Sequence, residues 1–335
     1  MIDAIYRILY GEDFIVPSVL SIIDKVDRIF ICWTDRPWGW AREVEYMGET
    51  IQLPIKSSQP YDGWLERLTS ELRPEQMDKI ITEQMHTDQP DNQFTEFANR
   101  IFMQHGRPDT LICMEPDHVW REEYLDHALR EFTNNGYRAA RSRQIELWKS
   151  FGWRVPERPG RTGTVFWNLK GLQGLPQTKR QAEPRGTDFM VLGARVHNLG
   201  FCVSEKSMLQ KHLIALAYAK TVRDSSPGPE WFERKWKAWT EENQLTDLEI
   251  AQGYESHIPK VVPFSGPMPE TLDGWPGHKE QERVPVRGET DIGQPDDDQV
   301  QLLRSDVHMD GVSEEEQADV GTGVRPEGDL PSEAE

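Results

Sequence analysis

Leu111-Ile112-Cys113-Met114-Glu115-Pro116-Asp117-His118-Val119-Trp120 leads four apolar residues directly into two carboxylates separated by a single proline. A short continuous apolar run bounded by turn signals is the pattern of a buried strand, and Leu111–Met114 fits it. Pro116 has no N–H to give a sheet ladder, so the strand is expected to stop there. Glu115 and Asp117 then stand just past a strand's carboxyl end, where open α/β sheets bind ligands. Two neighbouring carboxylates repel each other unless a cation or a proton lies between them. One reading is therefore a site for a hard divalent cation whose remaining positions are filled by phosphate and water. The plainer reading is a solvated loop whose Asp117 caps the next helix, expected over Glu122–Thr133.

Upstream of this stretch, Ala4–Tyr10 reads as a first strand, and Gly11-Glu12-Asp13 breaks it. Phe14, Val16, Val19, Leu20, Ile22 and Ile23 then recur at helical spacing. Arg28–Trp33 is a second strand, closed by Thr34-Asp35-Arg36-Pro37. Strand, helix and strand within about 30 residues favour a parallel, right-handed crossover. Glu43–Leu53 predicts a further strand or a hairpin around Met47-Gly48. Asp62–Leu72, Pro74–His86 and Asp91–Gln104 read as helices, the last with Phe94, Phe97, Ile101 and Phe102 on its buried side. Downstream, Asn134-Asn135-Gly136 is a helix stop. Residues 137–200 read as short strands and loops, including Gly163–Leu169 and Arg195–Leu199. Ser204–Thr221 and Pro229–Thr240 read as late helices, with Ser204 at the start of the first. The class is α/β.

The net charge of −19 is uneven: residues 271–335 hold 5 Lys+Arg against 18 Asp+Glu, which leaves −6 for the first 270. Every Trp, Phe and Tyr lies before residue 276. An acidic segment without aromatics cannot bury enough apolar surface to offset its ordering entropy, so residues 277–335 are expected to be a disordered tail. The first 270 residues suffice for a large core. No run reaches the ~18 apolar residues of a membrane span. Met1-Ile2-Asp3-Ala4 has no basic region and long apolar stretch of a secretory signal, so a cytoplasmic protein is expected. Cys32, Cys113 and Cys202 are odd in number and far apart, which suits buried free thiols rather than disulfides or a zinc site.

Four stretches, in order, resemble nucleotide-sugar glycosyltransferases of the A-type fold, close to the large family 2. Tyr10-Gly11-Glu12-Asp13 with Phe14-Ile15 resembles that family's Tyr-Asn-Glu-Glu segment after strand one, with Gly11 where Asn is usual. Val26–Ile31 leading to Asp35 is similar to its second strand and nucleotide-facing acid. Glu115-Pro116-Asp117 stands in the place of its Asp-x-Asp metal motif, and Asp117-His118-Val119-Trp120 resembles the continuation. Val196-His197-Asn198-Leu199-Gly200-Phe201 is similar to a late His-x-x-Gly-Phe/Tyr segment. The resemblance covers roughly residues 4–265, and the Gln-x-x-Arg-Trp of processive membrane synthases is absent.

The resemblance implies a GT-A-like, Rossmann-like mixed sheet flanked by helices. It implies a nucleotide-binding half over residues 1–135 and an acceptor-side half over 136–270. It further implies a metal-dependent transfer of a sugar from a nucleoside-diphosphate sugar to a hydroxyl, with Mn²⁺ or Mg²⁺ bridging the phosphates. Asp117 is then the metal ligand, with His197 completing the shell. Glu115 faces the ribose or a metal-bound water, Asp35 the nucleobase, and Tyr10 and Glu12 the base and ribose pocket. The acceptor's general base is sought in Glu146 or Asp188. A non-catalytic nucleotide- or sugar-binding protein and a nucleotidyltransferase remain open on the same fold. Residues 136–185 carry 11 Lys+Arg against three acids, interleaved with Tyr137, Trp148, Phe151, Trp153, Phe166 and Trp167. Basic residues with aromatics suit a polyanionic acceptor such as a hydroxylated base in DNA, with a glycan as the other candidate. The competing account is that the aromatics form core and the arginines pair with acids.

Overall fold

The structure is a computed structural model that describes residues 1–8, 12–33, 42–53, 64–84, 90–157, 162–171, 189–222, 230–241 and 261–275. These all belong to the compact unit Met1–Pro285. The expected acidic tail lies outside the described residues.

The first half is a parallel sheet. Strand β1 (Ile2–Ile8) lies between β2 (Arg28–Trp33) and β6 (Thr110–Met114), and β2 pairs in turn with β5 (Ile80–Gln84), all parallel. The apolar runs of β1, β2 and β6 are buried on both faces, as parallel strands require, and β5 at the sheet edge is half-buried. Helix α1 (Ile15–Leu20) packs with Ala4, Tyr6, Ile8, Ile29 and Ile31 on one face. Helix α4 (Pro90–His105) puts Phe97, Ala98 and Ile101 against Ile5, Phe30, Cys32, Leu111 and Cys113 on the other. The sheet is thus covered on both sides, as the α/β reading expects.

One sequence expectation fails here. Pro74–His86 is not a single helix: α3 covers only Pro74–Met77, and β5 follows after two residues. Ile80, Ile81 and Thr82 are β-branched and extend readily beside β2, where pairing outweighs helical spacing. Helix α2 (Trp64–Glu71) lies within its expected span. Strands β3 (Glu43–Tyr46) and β4 (Glu49–Gln52) form the expected hairpin. Its turn residues Met47 and Gly48 both have positive φ, 53° and 86°, the pattern of a hairpin turn that follows strand twist.

Past β6, a short β7 (His118–Val119) and α5 (Glu122–Asn134) lead into the second half, and Gly136 ends α5 with φ 64°. Residues 137–200 prove to contain long strands. These are β8 (Ala139–Trp148), β9 (Ser150–Arg154), β10 (Thr162–Asn168) and β11 (Phe189–Phe201). Antiparallel β10 joins β6 to β8, and β11 runs parallel to β8 with register shifts at Val191/Arg195 and Asn198/Phe201. Strand β12 (Val262–Pro263) completes a ten-stranded mixed sheet among the described residues. Helix α6 (Glu205–Val222) packs on the hairpin, and Ser204 Oγ accepts the Ser207 N–H at its start. The late helix expected over Pro229–Thr240 is a π-helical turn, Phe232–Lys237, whose Ala238 N–H reaches back to the Glu233 carbonyl. No described helix is long and apolar enough to cross a membrane.

Candidate functional site

The sheet order fixes where a ligand can sit. From β1 the chain crosses to β2 and on to β5 on one side, then returns to β6 on the other side of β1. Strand order therefore reverses between β1 and β6. In open α/β sheets the crevice outside the carboxyl ends at such a reversal is the ligand site. Glu115 and Asp117 leave β6 at that point.

The acid loop is pinned from two directions. Ser18 Oγ donates to the His118 carbonyl at 2.5 Å, and the Trp120 N–H donates to Ser21 Oγ at 3.1 Å. The Leu199 N–H donates to the Asp117 carbonyl at 2.9 Å, where β7 pairs with β11. Asp117 does not cap α5, whose start at Arg121 has no side-chain cap. The plainer sequence reading of this loop is therefore not what the chain does.

Each acid has its own cation. Arg7 on β1 lies 3.5 Å from Glu115. Lys211 on α6 lies 3.2 Å from Asp117 Oδ2, with both side chains largely buried. The protein thus supplies the positive charge that the neighbouring carboxylates demand. Arg7 carried a signal in sequence, a charge inside the apolar Ile5-Tyr6-Arg7-Ile8. Lys211 carried none, being one polar residue among several on a helix.

Strand β11 supplies the rest. Its alternation puts Asn198 and Gly200 on one face and His197 and Leu199 on the other. A Cβ on Gly200 would meet Asp117 Oδ2 at 2.8 Å and Asn198 Oδ1 at 3.0 Å, so this face looks at Asp117. Asn198 Nδ2 donates to Gln144 Oε1 at 3.2 Å, and Lys211 Nζ also donates to the Gly200 carbonyl at 3.2 Å. Asn198 is in parallel register with Glu146, which is 6 % exposed. Glu146 therefore shares the face that holds Gln144, Asn198 and Gly200, next to Asp117. One turn before Lys211, Ser207 Oγ donates to Asp13 Oδ1 at 3.2 Å, in the turn after β1. Helix α6 thus touches the loops that follow both strands of the reversal.

The structure does not bring His197 to Asp117. Its ring is fully buried on the opposite face of β11, against Phe264, and Nε2 meets the Pro267 carbonyl at 3.1 Å. Burial pushes its pKa down to about 3, so the ring stays neutral. Tyr10, Asp35 and Asp188 lie outside the described residues, as does the Glu12 side chain. Phe189, the residue after Asp188, pairs with Ala139 at the far end of β8 from Glu146. In the basic segment, Trp148, Phe151, Trp153, Phe166 and Trp167 are all buried core. Arg143 and Arg195 both pair with Glu157, and Lys149 lies 4.7 Å over the Trp236 ring. These five aromatics are core there, while Tyr137 is half-buried against the same body.

Among the described residues no three His, Cys, Asp or Glu gather as a metal cage. Glu115 and Asp117 are the carboxylates at the reversal that could hold a hard ion of the Mg²⁺ type. Such an ion takes one or two carboxylates and completes its shell with substrate phosphates and waters. The donor set suits an ion that arrives with its substrate.

No family model matches the chain, and no curated protein matches its sequence. Among solved structures it is similar to the crystal structure of S. aureus TarS 1-349, at 11 % identity and a TM-score of 0.36. That match covers 65 % of this chain and 65 % of that one, so the chain spans about two thirds of the length of TarS 1-349. It is also similar to 4-diphosphocytidyl-2C-methyl-D-erythritol synthase from Anaerococcus prevotii, at 11 % identity, 66 % and 98 % coverage and a TM-score of 0.35. A third is the inositol-1-phosphate CTP transferase from T. maritima, at 10 % identity, 62 % and 94 % coverage and a TM-score of 0.34. Likenesses this loose carry no argument about activity, and the mixed α/β fold rests on the topology above.

Proposed function

We propose that the chain is a metal-dependent glycosyltransferase that moves a sugar from a nucleoside-diphosphate sugar to a hydroxyl acceptor. The observation that supports this reading is the acid pair just past β6 at the sheet reversal, with Asn198 and Gly200 of β11 on the face that looks at Asp117. Bound Mg²⁺ or Mn²⁺ would supply Lewis-acid stabilisation of the diphosphate leaving group. Asp117 would hold that ion's position, with Glu115 beside it oriented by Arg7. Asp35, Tyr10 and Glu12 follow β2 and β1, whose ends flank the same crevice, and they would bind the base and ribose.

Glu146 is the general-base candidate that lies among the described residues. It is nearly buried and shares a sheet face with two amides that can fix a sugar hydroxyl, Gln144 and Asn198. A base there takes the acceptor's proton as the new glycosidic bond forms. The acceptor is a glycan or a polyanion recognised chiefly by charge, because five of the six aromatics of the basic segment are core.

The test is product analysis with a panel of nucleotide sugars and Mn²⁺. Transfer releases a nucleoside diphosphate, is abolished by EDTA, and disappears in Asp117→Asn. Pyrophosphate as the product would instead establish a nucleotidyltransferase. Binding without turnover would establish a non-catalytic protein.

A further inference from the structure

Lys211 stands at the centre of the acid site, yet no motif contains it. Its ammonium has three donors. One meets Asp117 Oδ2 and another the Gly200 carbonyl, each at 3.2 Å. The side chain is 27 % exposed, so it is neither free in solvent nor locked in core. The carboxylate it neutralises is the one that must hold a divalent ion under the reading above.

A carboxylate has two oxygens, so Asp117 could hold both partners only at an electrostatic cost. A divalent ion on its carboxylate would bring a second positive charge within a few ångströms of the ammonium, in a site partly shielded from water. Like charges at that range oppose each other by an amount on the order of kcal/mol. The repulsion is relieved when an anion lies between them. The diphosphate of a nucleotide sugar is such an anion, and an ammonium is a good point-charge partner for phosphate.

We propose that Lys211 is an exchangeable counterion. It holds Asp117 in the ligand-free chain and passes to the diphosphate when the ion takes Asp117. This rests on the metal-dependent reading and adds to it a residue that couples metal to nucleotide. Lys211 disfavours the ion alone and favours ion and diphosphate together, so each raises the other's affinity by the same factor. Its place on α6 suits the role, because Ser207 on the same helix face grips Asp13 beyond β1. The helix is thereby anchored while the longer lysine side chain swings.

The test is calorimetry on Lys211→Met, and on Lys211→Gln, which keeps a donor for the Gly200 carbonyl. Circular dichroism melts establish that both fold. The probes are Mn²⁺ alone, and UDP and GDP with Mn²⁺ saturating, with Asp117→Asn as control. Both Lys211 variants are expected to bind Mn²⁺ alone several-fold more tightly than wild type. With Mn²⁺ present they should bind the nucleoside diphosphate about tenfold more weakly, the scale of one hydrogen bond to a charged group. Unchanged or weaker Mn²⁺ binding in the variants overturns the exchange, and so does unchanged nucleotide affinity. If wild type binds Mn²⁺ through Asp117 while the variants change nothing, only the exchange falls. If wild type binds no Mn²⁺ even with nucleotide, the metal-dependent reading falls with it.

Discussion

In the parallel half of the sheet, β1, β2, β5 and β6 show aliphatic residues to helices on both faces, and charges such as Arg7 and Glu115 collect at the strand ends. In the other half, β8 to β11 interleave arginines with aromatics, and the aromatics turn inward. Trp148, Phe151, Trp153, Trp231, Phe232 and Trp236 form a second core beneath the basic segment. Apolar periodicity therefore reports burial well in the first half. In the second half a mixed pattern that resembles a polyanion-binding surface hides a core. Surface charge and aromatic content are separate signals, and only the first survives folding here.

The sharpest way to break this comparison is Trp148→Ala. Trp148 is 1 % exposed and its ring centroid lies 5.0 Å from that of Phe201. Removing it should cost about 3–5 kcal/mol in chemical denaturation. Near-wild-type stability with impaired acceptor binding would return the tryptophan to a stacking role.

His197 separates core from ligand through pH. Its ring takes a proton near pH 6.5 when unfolded and at about 3 when folded. Between those values the unfolded state holds the extra proton, so stability falls as pH is lowered. The slope should approach about 1.4 kcal/mol per pH unit from this group alone. Replacing it by Gln should flatten the dependence between pH 6 and 4 without altering Mn²⁺ affinity. Loss of Mn²⁺ binding would show that His197 reaches the ion after all.

Gly200→Ala probes the face that looks at Asp117. The new methyl would press on the end of the Asp117 side chain, which can give way, so stability should fall by only about 1 kcal/mol. Mn²⁺ affinity and transfer should fall at least tenfold, because the carboxylate is displaced. Equal activity would mean that Asp117 acts from another position.

The smallest effect is expected at Glu157, which is half exposed and serves Arg143 and Arg195. Glu157→Gln should change stability by less than about 1 kcal/mol. It should strengthen any polyanion binding, which must weaken steeply with salt. No binding of DNA at low salt, in wild type or variant, favours a glycan acceptor.

What was legible in sequence follows the same division. Leu111–Met114 could be read because a proline ends an apolar run, and the hairpin because Met47-Gly48 marks its turn. Strand β5 could not, since Pro74–His86 keeps helical spacing and only its register with β2 makes residues 80–84 extended. Glu115, Asp117 and Glu146 stood out as candidates because acids are conspicuous beside apolar or basic neighbours. Lys211 was not, because its partner lies 94 residues away and nothing local marks the contact. The His197 ligand role came from a motif, and strand alternation turned the ring toward the core while leaving Asn198 and Gly200 facing the acid.

The most direct test of the account is the thermal stability of wild type and Asp117→Asn across a panel of nucleoside-diphosphate sugars, with and without Mn²⁺. Ligands that bind only the folded state raise the melting temperature by mass action. At least one donor should raise it in wild type only when Mn²⁺ is present. In Asp117→Asn that rise should vanish, while the unliganded melting temperature drops only by the small amount that loss of the Lys211 ion pair costs. A donor-induced rise that ignores Mn²⁺ and persists in Asp117→Asn would contradict the account.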